Sequence, residues 1–113
     1  MSYKIEIHQS GRGGRVCYME NGQELFFDWE FAVGGVNIFV PTPEEWDMYC
    51  RNHNSSWAEG RRQEILERIV EEVQRQKAEN SDVSIEDNWI HFNFRGKPKK
   101  ILDGVRNLWK PDA

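Results

Sequence analysis

The chain has 113 residues, 38% of them hydrophobic and 30% charged, with a formal net charge of −4. That is one domain with a single modest core, too short for two. Aromatic residues at 12%, five of them Trp, exclude a disordered chain, and no apolar run approaches the roughly 20 residues of a membrane helix. Met1 to Ile7 alternates polar and apolar side chains and carries no signal-peptide block, so a cytoplasmic location is the expectation.

Period-two alternation opens the chain. Tyr3, Ile5 and Ile7 alternate with Lys4, Glu6 and His8, which predicts a half-buried strand. Ser10 to Gly14 reads as a flexible turn, Arg15 to Glu20 as a second strand, and Asn21-Gly22 as a tight hairpin turn. The third strand, Glu24 to Ala32, sets Leu25, Phe27, Trp29 and Phe31 on one face against Phe26, Asp28 and Glu30 on the other. Gly34-Gly35 breaks it, and Val36 to Val40 follows as a fourth strand.

Helix signals come next. Thr42-Pro43-Glu44-Glu45 combines a cap, a proline and a capping-box glutamate ahead of a short helix carrying Trp46, Tyr49 and Cys50. Ser56-Trp57-Ala58-Glu59 repeats the box and predicts a longer helix to about Glu79. Its core stripe is Ile65, Leu66, Ile69, Val70 and Val73, and Glu64–Arg68 and Glu71–Arg75 fall at ion-pair spacing on the other side. Val83 and Ile85, then Ile90, Phe92 and Phe94, predict a second hairpin about Glu86-Asp87-Asn88. Ile101, Leu102, Val105, Leu108 and Trp109 fit a short terminal helix. The sum is a single α+β domain over 1–113. A mainly antiparallel sheet of five to six strands packs on one long helix, with a short helix before it and a short C-terminal one.

Charge is unevenly spread. Residues 1–60 hold four basic and nine acidic side chains, 61–94 five and eight, and 95–113 six and two. An acidic body repels phosphates and favours basic protein partners. Cys17 and Cys50 stand singly and His8, His53 and His91 are scattered, which excludes a zinc finger of local spacing. Two buried thiols are expected in preference to a disulfide, and neither a metal nor another cofactor is expected.

Catalytic signatures are missing. The Gly11-Arg12-Gly13-Gly14 cluster lies between strands and lacks the helix N-terminus that makes such loops hold phosphate. Asp28 and Glu30 with His91 are the raw material for a small metal-dependent hydrolase, but nothing in the sequence joins them. Arg95, Lys97, Lys99 and Lys100, beside Phe92 and Phe94, admit a nucleic-acid-binding accessory protein instead. Against it, the two Phe alternate as core positions do, and an acidic body opposes binding. Five Trp are many for a short chain to bury, and partly exposed aromatics ringed by carboxylates have the composition of a protein-binding hot spot.

The order of elements is suggestive. The hairpin Tyr18 to Asp28, a segment closing on Trp46, the charged helix from Arg62 to Val73 and a final strand together resemble small bacterial toxin-immunity proteins, over about residues 14–94. The resemblance implies a non-enzymatic module that neutralises a partner by binding it. Charge and aromatic patterning, and not the resemblance, give the expected contacts: Asp28, Glu30, Glu44, Glu45 and Asp47 for steering, with Phe26, Trp46 and Trp57 as anchors on a basic partner. An uncovered sheet face or edge also leaves a homodimer open.

Overall fold

Alternation in the first half of the chain does become a sheet. The computed structural model describes residues 2–94. The strands are β1 (Tyr3–Ser10), β2 (Gly13–Glu20), β3 (Gln23–Ala32), β4 (Gly35–Phe39), β5 (Ser81–Ile85) and β6 (Trp89–Phe94). Helices α1 (Trp46–Asn52) and α2 (Arg62–Lys77) lie between β4 and β5, separated by a 3₁₀ turn at Ser56–Ala58. The fold is α+β with one antiparallel sheet in the order β1-β2-β3-β4-β6-β5. The expected C-terminal helix lies outside the described residues.

One sheet face carries the core. Ile5, Val16, Tyr18, Leu25, Phe27, Trp29, Val36, Ile38, Ile90 and Phe92 are buried there, in one cluster with Ile65, Leu66, Ile69 and Val73 of α2. Burying each of the α2 aliphatics contributes about 1.5–3 kcal/mol, so packing of its apolar stripe holds this helix in place. The opposite face has no helix of comparable length over it among the described residues, and its outward side chains include Glu24, Phe26, Asp28 and Glu30, all exposed.

Several local expectations are corrected. Gly13 and Gly14 belong to β2, not to the turn, which is Gly11-Arg12 with Gly11 at φ +65°. A Cβ on Gly14 would run into the His8 carbonyl, and beside that close approach the Trp29 indole N–H donates to the same oxygen at 3.0 Å. The Ser56–Glu59 box does not start the long helix. Gly60, at φ +75°, breaks the chain after the 3₁₀ turn, and α2 begins at Arg62 with no side-chain cap. Glu64 pairs with Arg68 at 2.9 Å, but Arg75 turns to Glu72 at 2.7 Å, one residue nearer than expected. Asn21 and Gly22, at φ 52° and 77°, make the hairpin turn their sequence predicts. Cys17 and Cys50 are both free and buried, and burial pushes each thiol up to about 11.

A charged cluster sits at the β2 end of the inner face. The Glu20 carboxylate, 4% exposed, accepts from both terminal nitrogens of Arg61 at 2.8 and 2.9 Å, from Arg68 at 3.1 Å and from the Tyr18 hydroxyl at 2.6 Å. Arg61 above all holds the Glu20 carboxyl down to about 2 against the cost of burial. Its stabilising contribution is therefore complete above the ordinary carboxylate value of 4.5 and is lost as pH falls from there through about 2. Glu20→Gln is expected to cost about 3 kcal/mol near neutrality, the low end for breaking a buried ion pair because Arg61 and Arg68 keep Glu64. Denaturant melts across pH should show the difference from the parent protein closing between those two values.

Candidate functional site

Strand β4 is half the length of β3, and this mismatch makes the site. Its register covers only Trp29 to Ala32, so among the described residues Gln23 to Asp28 of β3 has β2 on one side and no strand on the other. Bare carbonyls on a strand edge must find donors. Here α1 and the turn after it supply them: the Tyr49 hydroxyl donates to the Phe26 carbonyl at 2.6 Å and Ser55 Oγ to the Glu24 carbonyl at 3.3 Å.

The sequence puts α1 there by local means. Thr42 and Glu45 exchange hydrogen bonds as a capping box, through Glu45 N–H to Thr42 Oγ1 at 3.2 Å and Thr42 Oγ1 to Glu45 Oε1 at 3.1 Å. Trp46 is buried, stacks on Phe27 with ring centres 6.0 Å apart, and donates its indole N–H to the Ala58 carbonyl at 2.8 Å. Asp47 accepts from the Gly60 N–H at 2.8 Å, tying α1 to the turn that precedes α2.

Between α1 and the outer sheet face runs an open groove of about 730 Å³. Its apolar lining includes Phe26, Phe39, Pro41 and Met48, and its polar lining includes Arg15, Asp28, Glu45 and His53. Phe26, Phe39 and Met48 are 40%, 38% and 62% exposed, and Trp89, paired with Phe39 across the β4–β6 ladder, is 38% exposed. Val33, in the β3–β4 turn, is the one other large apolar side chain so exposed among the described residues. A second depression of about 510 Å³ shares Arg15, Phe26 and Asp28 and extends the groove toward His8 and Ser10. Arg15 lies over the Phe26 ring at 5.3 Å and only loosely against Asp28, at 3.9 Å. Burial, followed by the Asp28 charge, pushes the Tyr49 hydroxyl above its usual range.

The residues singled out from the sequence divide sharply. Phe26, Asp28 and Glu45 line the groove; Glu30 is exposed further along the same face, and Glu44 is exposed on the turn before α1. Trp46 and Asp47 build the site from behind. Trp57 lies away from the groove, half-buried on the core side between Tyr18 and the Arg61 guanidinium. Phe92 is fully buried and offers no face for stacking bases, while Phe94 is half-buried against the core. Arg95, Lys97, Lys99 and Lys100 lie outside the described residues. Phe39 and Met48 were not foreseen. Phe39 was within reach, because the alternation that buries Val36, Ile38 and Val40 must turn it outward.

His91 comes nearer to Glu30 than the sequence discloses. Glu30, Asn37, His91 and Ser84 form one row across four strands, and His91 Nδ1–H donates to Asn37 Oδ1 at 2.6 Å. No group of three or more His, Cys, Asp or Glu among the described residues is placed to hold a metal ion, and no described helix is long and apolar enough to cross a membrane.

Tyr49→Phe deletes the hydroxyl that satisfies the Phe26 carbonyl and keeps the ring. A loss of about 1 kcal/mol in denaturant unfolding is expected, with faster amide exchange confined to the Gln23–Asp28 half of β3 and to α1. No family model matches this chain, and neither a curated protein nor a solved structure matches it.

Proposed function

We propose that the chain is a non-enzymatic protein-binding module of the immunity or inhibitor kind, whose acidic groove covers a basic site on a partner protein. The observation that carries this reading is convergence. Phe26, Phe39, Met48 and Trp89 stand exposed together on a face whose carboxylates include Asp28, Glu30 and Glu45. Exposed apolar side chains inside a charged rim are the anatomy of a recognition surface. The aromatics supply contact area at little cost in side-chain freedom and slow release. The carboxylates draw a basic partner in, and that steering weakens as salt rises.

Capture from a lysate of the source cells, with the retained protein identified by mass, supplies the partner. Binding kinetics with that partner then separate the two roles. Asp28→Lys with Glu30→Lys is expected to slow association by about tenfold at low salt and to flatten its salt dependence. Phe39→Ala is expected to act on release. A retained protein whose association and release are the same for both variants as for the parent chain would sink the proposal.

A further inference from the structure

Four apolar side chains left open on an acidic face are an unusual thing for a chain to carry beside a basic, apolar-rich segment of its own. We infer that residues 95–113 of the same chain occupy the groove in the free protein, so that a partner must displace them. The inference rests on the groove as the docking surface and not on who the outside partner is.

Chemistry and reach support it. Residues 2–94 hold nine basic and seventeen acidic side chains, whereas 95–113 hold six and two. That segment intersperses Lys97, Lys99, Lys100, Arg106 and Lys110 with Ile101, Leu102, Val105, Leu108 and Trp109. It is thus the kind of basic, aromatic ligand that Phe39 and Met48 beside Asp28 and Glu45 would take. The starting point is fixed by the Phe94 N–H, bonded to the Gly34 carbonyl at 2.9 Å at the far end of β6 from Trp89. Returning along the six residues of β6 to Trp89 takes about 17 Å. Residues 95–100 span up to about 20 Å, enough to deliver Ile101 beside Trp89 and Phe39. A tether this short sets an effective concentration in the ~mM range, which favours the chain's own segment over that of a second copy.

The test uses full chains. Zero-length carbodiimide coupling of a mixture of isotope-labelled and unlabelled protein should join Lys97, Lys99, Lys100 or Lys110 to Asp28, Glu30 or Glu45 within one chain. Links between labelled and unlabelled chains overturn the inference in favour of a second copy. Links only to α2 carboxylates such as Glu67 or Glu71, or none at all, overturn it too. Met48 is an independent reporter, being 62% exposed unless something covers it. Its oxidation by peroxide, scaled to an added methionine peptide, should be about fivefold faster in Trp109→Asp, as for a face covered some four-fifths of the time. Equal rates refute the covering. Partner capture and Met48 protection fail separately: a protected Met48 with no salt-sensitive partner removes the proposed function and leaves this inference standing.

Discussion

Ten residues of β3 face five of β4, and the rest of the molecule answers that shortfall. A strand edge with bare carbonyls pairs with whatever offers donors, including other chains. This one is closed by a helix instead of a strand. Tyr49 and Ser55 donate to carbonyls that a longer β4 would have engaged, while Trp46 and Asp47 brace α1 so that those donors stay in place. A helix laid beside a half-strand cannot lie flush with a pleated sheet. The space left over is the groove, and the side chains facing it are those that alternation sends outward from β3 and β4. The same mismatch therefore protects the edge and creates the recognition surface.

Two charge systems divide the work. On the core side the buried Glu20 and Tyr18 and the half-buried Arg61 and Arg68 satisfy one another, so they fix how β2 meets α2. On the outer side Asp28 and Arg15 hold each other weakly across 3.9 Å, and both remain largely exposed. A loose surface pair adds little stability and can exchange its partner cheaply. That is the property a binding face requires.

Legibility in the sequence followed the range of the interaction that decides each element. The inward faces of β1 and β3, the Asn21-Gly22 turn and the stripe from Ile65 to Val73 are set by neighbours within a few residues, and they are plain from spacing alone. The Ser56–Glu59 box reads as a helix start because its four residues fit that pattern. What overrides it is the bend at Gly60 and a carbonyl, Ala58, taken by Trp46 from twelve residues earlier. Trp46 reads as a surface anchor for the same reason: Phe27 and Ala58, which help to bury it, come from elements remote in sequence. The groove was half legible. Phe26 and Asp28 follow from β3 alternation, but Met48 enters only once α1 is known to lie against the open half of β3.

The placement of β6 between β4 and β5 has a consequence for the order of assembly. Strands β1 to β4 form a meander whose turns are short, so each hairpin can close quickly and locally. The β5–β6 hairpin is also local, but it can dock on β4 only after the excursion through α1 and α2 has come back. The Glu20–Arg61 and Glu20–Arg68 bonds, spanning 41 and 48 residues, are a second long-range closure, that of α2 on β2. Loop closure over such separations is slow to form and, once made, acts as a latch. Bonds of this span lie outside the local hairpins, so their loss is expected to speed unfolding more than it slows folding.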